Sequence, residues 1–235
     1  MRGNQLAIWV DEFDFSTATS QIDLTFEVGE GERTSLASDA QEYLPLLPKI
    51  TVQQNGYLEG ILPNGFAAEM EARFAQRGAI VTVLVGRSDP ACIAYTLPDA
   101  ANLEMAFAAP AANLTTLNGQ WATSANARRG RRIFTGTLTA AGEQPSVDLG
   151  AGTLTGGLAF LHIATITGGA TNAELTIESS TDNLTFVEEA TLTLSATGGY
   201  TLPLDGAISR YVRLTCADLG GATAIHCLAI VSLGA

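Results

Sequence analysis

The amino-acid sequence describes a mainly β protein: an antiparallel sandwich or barrel with one flanking helix over about residues 65–77 and a long strand-connecting arm over 29–49. Three patterns carry that reading. Between Ser20 and Val28, the apolar Ile22, Leu24, Phe26 and Val28 alternate with Gln21, Asp23, Thr25 and Glu27, the period of a half-buried strand. Runs rich in Thr, Val and Ile recur along the chain, punctuated by Gly, Asn, Asp or Pro. One stretch stands out for helical spacing: Phe66, Met70 and Phe74 share a face, while Glu69, Glu71, Arg73 and Arg77 take others.

Taken in order, the expected strands are Leu6–Val10, Ser20–Val28, Ile50–Leu58, Ala79–Val85, Ile93–Leu97, Leu103–Phe107, Ile133–Thr139, Leu158–Ile166, Ala173–Ser179, Leu184–Glu188, Ser209–Cys216 and Ala224–Val231. Asn64 can cap the helix and Gly78 can close it in a left-handed conformation; the Phe/Met stripe reads as core packing on a sheet. The connection Gly29–Lys49 is too long for a hairpin turn, and its segment Tyr43-Leu44-Pro45-Leu46-Leu47-Pro48 suggests contact with another chain. Leu158–Ile166 and Ile225–Val231 are apolar on both faces, so a second sheet or a neighbouring subunit must cover each side. A stretch rich in Gly and small polar residues near 140–157 separates two expected segments. The first, 1–140, holds the helix and the arm; the second, 141–235, is an antiparallel sandwich portion, either integrated with the first or semi-independent.

With 235 residues, 46% hydrophobic and 15% charged, the chain has the apolar content for a packed core and lacks the composition of a disordered one. Cys92, Cys216 and Cys227 are odd in number and show no C-x-x-C spacing, which points to a reducing compartment; Cys216 and Cys227 could still meet across neighbouring strands. The apolar run Leu6–Val10 is too short for a signal core, and no stretch approaches the roughly 20 apolar residues of a membrane helix. We therefore expect a chain that works where it is made or leaves by assembly and lysis, with no membrane partner. The net charge of −12 opposes binding to a polyanion, yet suits a surface that nucleic acid slides past.

Catalytic chemistry is not legible. His162 and His226 each sit inside an apolar strand, where packing or hydrogen bonding is the ordinary role. His226 and Cys227 are adjacent on a strand, point to opposite faces and cannot easily share a metal ion. Asp11-Glu12-Phe13-Asp14 lacks the glycine and distal glutamate of a calcium loop and reads as a solvated acidic turn. No catalytic, cofactor or metal residue is assigned, and no enzyme is expected. The cluster Arg128, Arg129, Arg131 and Arg132 admits two partners or none: the acidic surface of a second copy, nucleic acid, or only solvent around a plain exposed loop.

The order of several motifs carries a resemblance. Asp14-Phe15-Ser16 precedes a strand near Ser20; Glu32-Arg33-Thr34-Ser35 follows; then come Tyr43-Leu44-Pro45-Leu46-Leu47-Pro48-Lys49, Ile50-Thr51-Val52 and Asn55-Gly56-Tyr57-Leu58-Glu59-Gly60. This resembles the start of the major tail (tail tube) proteins of long, non-contractile-tailed, siphovirus-like phages, with Leu46 and Leu47 standing where that family places a glycine–leucine pair. Ala173 to Phe186 and Ser209-Arg210-Tyr211-Val212-Arg213-Leu214 are similar to a sandwich module at the end of many such proteins, and also to carbohydrate-binding sandwiches.

The resemblance implies a structural virion protein of the tail, made and assembled in the host cytoplasm. Six copies would form a ring, and stacked rings a tube for DNA ejection, with the long arm reaching the adjacent ring. Its partners would be itself, the tape measure, tail terminator and distal tail proteins, and DNA in transient, non-specific passage. Candidate subunit contacts are Glu30, Glu32, Arg33, Tyr43, Leu44, Leu46, Arg128, Arg129, Arg131 and Arg132. Residues 1–60 hold ten acidic residues against Arg2, Arg33 and Lys49, so Asp11, Glu12, Asp14, Asp23 and Glu27 are candidates for an acidic lumen. The alternative is a phage decoration or adhesion protein whose C-terminal sandwich binds sugar; after Ala140 it would rely on Phe160, Phe186, Tyr200 and Tyr211, without a tryptophan.

Overall fold

The structure, a computed structural model, describes residues 5–32, 43–57, 66–109, 115–123 and 126–234. Its strands in chain order are β1 Leu6–Val10, β2 Phe13–Asp14, β3 Thr19–Glu32, β4 Tyr43–Tyr57, β5 Ala79–Val85, β6 Ile93–Ala108, β7 Thr116–Thr123, β8 Arg128–Leu138, β9 Gly142–Glu143, β10 Val147–Asp148, β11 Gly157–Thr167, β12 Ala173–Ser180, β13 Val187–Leu194, β14 Gly198–Leu204, β15 Tyr211–Asp218 and β16 Ala224–Leu233. Among the described residues one α-helix, α1 Phe66–Ala72, precedes β5, and a 3-10 turn spans Phe15–Thr17. The chain forms two compact units: Met1–Thr17 with Ala79–Thr96 and Arg128–Ala235, and Ala18–Gly78 with Leu97–Ala127. The fold is mainly antiparallel β, as the sequence patterning requires.

The first unit is a sandwich. One sheet runs β14-β11-β16-β8, then the start of β6, then β5-β1-β2; the other runs β10-β15-β12-β13, with β9 also on β15. Leu161 and Ile163 of β11 and Cys227, Ala229 and Val231 of β16 meet Leu175 and Ile177 of β12 and Val212, Leu214 and Cys216 of β15 in one apolar core. The opposite faces of the same two strands, at Phe160, Leu228 and Ile230, pack with Ala7 and Trp9 of β1 and Ile80 and Leu84 of β5. The two strands that read as apolar on both faces are therefore covered on both sides by their own chain. The first sheet curls until its ends meet: a Cβ added to Gly199 of β14 would lie 2.6 Å from Asp11 Oδ1 and 3.1 Å from Ile80 Cβ. Leu138 pairs with Ile225, so residues on either side of 140 share this sandwich.

The second unit is a four-stranded antiparallel sheet, β3-β4-β7 and the Ala100–Ala108 part of β6, with α1 on one face. The helix is shorter than expected. After Ala72 the chain tightens (Phe74 N–H to Glu71 C=O, 3.1 Å), and Ala75 turns left-handed at φ 58° and sends its N–H to the Asn102 carbonyl at 3.0 Å. Of the expected stripe, Met70 is fully buried, whereas Phe74 lies past the helix end and is 45% exposed. The Met70 methyl occupies the space above Gly119, where a Cβ would stand 2.1 Å from it, and Asn102 Nδ2 donates to the Met70 carbonyl at 3.4 Å. Asn64, the expected cap, lies outside the described residues.

The expected arm is also narrower. Residues 29–32 and 43–49 belong to β3 and β4, which continue as a paired ribbon to Glu32↔Tyr43, so the connection reduces to 33–42, outside the described residues. Pro45 and Pro48 are tolerated because β7 pairs β4 only from Thr51 onward. Val28 faces Pro48 and Glu30 faces Pro45, so Leu46 and Leu47 together oppose Gly29 in a bulge. Three further differences concern boundaries. The segments Ile93–Leu97 and Leu103–Phe107 are one strand, β6. β7 and β14 were not expected. The strand expected over Leu184–Glu188 starts at Val187, because Asp182 Oδ1 takes the amides of Leu184 and Thr185, both at 2.9 Å, and holds them in a turn.

Met70→Ala should cost about 2–5 kcal/mol, the usual range for an emptied core site. Urea denaturation measures it; a cost under about 1 kcal/mol would mean that α1 is not held by that plug.

Candidate functional site

Strand pairing gives the second unit two unlike sheet faces. Leu24, Val52, Trp121 and Asn102 lie in one row across the sheet, on the face that receives Met70. Val52, Trp121 and Asn102 are fully buried. Trp121 Nε1 donates to Gln54 Oε1 at 3.2 Å, and Gln54 Nε2 donates to Thr19 Oγ1 at 2.7 Å, so these three side chains are joined in a chain, while the buried Asn102 Oδ1 has no partner among the described residues. The apolar face continues past the buried rows, since Phe26, Val28 and Phe107 are each more than half exposed.

The other face is polar. Its central row is Asp23, Gln53, Gln120 and Glu104, one residue from each strand. The neighbouring rows are Gln21, Asn55, Asn118 and Ala106, and Thr25, Thr51, Ala122 and Ala101. Glu27 follows on β3, opposite Lys49. Gln21, Gln53, Glu104 and Glu27 are exposed, and Asp23 is half-buried with its Oδ2 accepting from Gln21 Nε2 at 2.7 Å. The described residues of this face offer carboxylates, amides and hydroxyls. Sequence reading located Asp23 and Glu27 but missed Glu104, Gln53 and Gln120. Their strands were not in register until pairing supplied it; the even spacing of Asp23, Thr25 and Glu27 was the one available signal.

The other acidic candidates lie in the first unit. Asp11 is no solvated turn residue: it sits at φ 48°, its Oδ1 accepts the Ile80 amide at 2.8 Å, and its own N–H reaches the Ile80 carbonyl at 3.0 Å. Asp14 is exposed and takes the Ser16 amide at 2.9 Å. Glu12, half-buried, helps raise the Tyr200 pKa, although burial of that phenol is the larger cause.

Among the candidate contacts, Glu30 and Glu32 lie on β3 and Tyr43, Leu44 and Leu46 on β4, while Arg33 is outside the described residues. Arg128, Arg129, Arg131 and Arg132 form the start of β8, a strand where a loop was one expectation. Two of them have intramolecular work. Arg132 is buried, with Nε donating to the Pro90 carbonyl at 3.1 Å and a guanidinium nitrogen to that of Asp89. Arg131 Nη1 donates to the Ala91 carbonyl at 3.0 Å. Both pin the turn before β6.

The histidines are structural in geometry. His162 is fully buried; its Nδ1–H donates to the Asp11 carbonyl at 2.7 Å, and its Nε2 accepts from Thr82 Oγ1 at 2.8 Å, which lies 2.9 Å from Thr96 Oγ1. Burial pushes its pKa down to about 4, only partly offset by the Asp11 carbonyl. His226 pairs with Thr137 Oγ1 at 3.1 Å, while Cys227 points into the core, where burial raises its thiol to about 12. The three cysteines are free and buried. Among the described residues no cluster of His, Cys, Asp or Glu has the arrangement of a metal site, and no helix is long and apolar enough to cross a membrane.

The aromatic residues of the sugar-binding alternative are engaged within the unit. Phe160 is buried. The Arg213 guanidinium stands 3.9 Å above Phe186 while Glu143 and Glu178 hold it, and Arg210 lies 5.2 Å from the Tyr211 ring while gripping Asp148 in a two-point pair. Tyr200 donates to the Ala196 carbonyl at 2.8 Å.

No protein-family model and no curated protein matches the sequence. Parts of solved structures align with part of this chain. A chain of the virion of a native gene transfer agent particle aligns over 54% of this chain and 96% of its own, at 13% identity and a TM-score of 0.43. A chain from the sheath/tube terminator of an extracellular contractile injection system, PVC, in its extended state covers 55% and 95%, at 4% identity and a TM-score of 0.43. A chain from the tail of an empty gene transfer agent particle covers 54% and 96%, at 13% identity and a TM-score of 0.40. Likenesses this partial leave the functional reading to rest on the chain's own residues.

The buried His162 gives a pH signature. Unfolded, the imidazole takes a proton below about 6.5; folded, it refuses one until about 4. Stability should be full above pH 6.5 and fall by up to about 3 kcal/mol as pH drops toward 4. Urea titrations at pH 7.5 and 4.5 test this, and His162→Gln should flatten the difference; equal slopes in both proteins would remove histidine as the cause.

Proposed function

We propose that this chain is a self-assembling structural subunit of a phage tail tube, in which the polar face of the second unit lines the bore. The observation that carries the reading is the two-faced sheet with β3 at its edge: β3 pairs with β4 alone among the described residues. An antiparallel sheet with such an edge closes by pairing with the next copy, and a ring of copies leaves no edge exposed. The exposed Phe26, Val28 and Phe107 would then be covered by neighbouring copies.

The family resemblance supplies the ring number. Six copies of four strands, about 4.8 Å apart, give a circumference of roughly 115 Å and a bore backbone diameter of about 37 Å before strand tilt widens it. Such a ring presents Asp23, Glu27 and Glu104 inward with the surrounding amides. Carboxylates repel phosphates, and amides hydrate the wall without holding a charged strand, so DNA passes without sticking. Asp11, Glu12 and Asp14 belong to the other unit and form a second acidic group of the same subunit. Glu30, Glu32, Tyr43, Leu44 and Leu46 lie on the ribbon that would extend toward the adjacent ring. The other tail proteins would meet the ends of the stack.

Electron microscopy of the concentrated protein should show rings or hollow tubes; a particle that stays monomeric at every concentration overturns the proposal. Neutralising the wall with Asp23→Asn, Glu27→Gln and Glu104→Gln together should leave tubes intact and slow DNA ejection from particles that carry it. Unchanged ejection would remove the bore assignment of this face while leaving assembly in place.

A further inference from the structure

The first unit has a cavity of about 230 Å³ lined by Arg129, Gly130, Arg131, Leu149, Val231 and Leu233. Its origin is a fork between two strands. The β8–β16 ladder ends at Arg131↔Val231, while β16 continues against β11 to Leu233. The open end is bridged by the Ser232 hydroxyl, which donates to the Arg129 carbonyl at 2.9 Å. Gly130 is required in the wall, because a Cβ there would come within 2.5 Å of the Val231 carbonyl oxygen.

The chemistry of the lining is specific. Arg129 and Arg131 alternate with Gly130 and so share one side of β8. Arg131 commits one nitrogen to Ala91 and keeps the rest of its donor fork. Among the described residues no ion pair joins either arginine to a carboxylate, and Asp148, the acid beside Leu149, is held by Arg210. Leu149, Val231 and Leu233 add an aliphatic wall. Two guanidinium groups beside aliphatic walls fit a carboxylate on a short hydrocarbon stem, which is a glutamate side chain.

We infer that this fork is the receptor for the glutamate end of β3 from a second copy. That end reads Glu27-Val28-Gly29-Glu30-Gly31-Glu32, so small residues separate its glutamates and let the strand approach closely. Charge selects the same partner, since the chain carries 24 acidic against 12 basic residues and a net charge of −12 that disfavours nucleic acid. The inference rests on the tube reading and names the contact by which one copy holds the next.

Charge reversal tests it. Arg129 is exposed, so Arg129→Glu should fold with unchanged thermal stability and raise the critical concentration for tube formation by about tenfold. Glu30→Arg with Glu32→Arg should do the same, and combining all three substitutions should restore assembly, a rescue that misfolding cannot imitate. In the assembled protein, Arg129→Cys with Glu30→Cys should give disulfide-linked dimers and longer chains on non-reducing gels. Normal assembly of the Arg129→Glu protein overturns the receptor while the tube reading stands. Crosslinks confined to monomers, or loss of DNA retention without loss of assembly, also overturn it. A wild-type protein that never assembles removes the tube reading and the receptor with it.

Discussion

The alternation of side chains along paired strands is the constraint on which the second unit depends. Once Asp23 faces Gln53, and Gln53 faces Gln120, the partners of Leu24 are fixed as Val52 and Trp121. A slip of one residue would put Trp121 and Val52 in water and Gln53 and Gln120 under the helix. The Trp121–Gln54–Thr19 hydrogen bonds reinforce the register from within, because a shifted strand would leave a buried amide without a partner. Met70 over Gly119 does so from above, its methyl group filling the space that a Cβ would share. The polar face is thus a consequence of how the apolar face packs.

The first unit meets a different demand. β11 and β16 are apolar on both sides, so two layers must cover them, and the single chain supplies both by curling β1 and β5 back over the sheet. That closure puts the β1–β2 turn against His162, whose two ring nitrogens are both satisfied. A neutral imidazole costs little to bury, whereas its charged form would be desolvated beside no counter-ion among the described residues and would oblige the Thr82 hydroxyl to turn from donor to acceptor. The same geometry that makes His162 a poor general base at neutral pH makes it a fastener between the turn and the sheet.

Much of this was legible in sequence, and the failures have physical causes. Strands rich in Val, Ile and Thr were located within a few residues, and Ala79–Val85 in full. β7 was missed because Thr-Leu-Asn-Gly-Gln-Trp-Ala-Thr has little β-branched content; its strand character comes from neighbours on both sides, and Gly119 is there for Met70. Ile93–Leu97 and Leu103–Phe107 were expected as two strands, yet β6 runs through Pro98 and Asp99, the latter at φ 51°. The helix was read too long because the four-residue spacing of Phe74 survives the point where Ala75 leaves the helical ladder. The candidate surface was half legible: Asp23 and Glu27 come from one strand, but Glu104 joins them only through two intervening strands. The arginine run gave no hint that Arg132 is buried beneath the Asp89–Cys92 turn.

In the proposed tube an acidic wall would raise the question of why like charges permit assembly at all, and magnitudes decide it. At physiological salt the Debye length is about 8 Å, so charges facing each other across the proposed bore of roughly 37 Å would be almost fully screened from one another. A duplex filling that bore brings its phosphates to within about one Debye length of the wall, where repulsion is felt. Lateral neighbours are a different matter: Asp23 on β3 shares its row with Gln53 and Gln120 before Glu104 is reached, so three strand spacings, about 14 Å, separate the two carboxylates within a copy. At the proposed seam, where β3 of one copy would meet the β6 edge of the next, that separation is not imposed, so the amides dilute the charge within a copy while leaving the proposed wall negative to anything that passes close. The arrangement of Gln and Asn between the acids is therefore as much a part of the proposed conduit as the acids themselves.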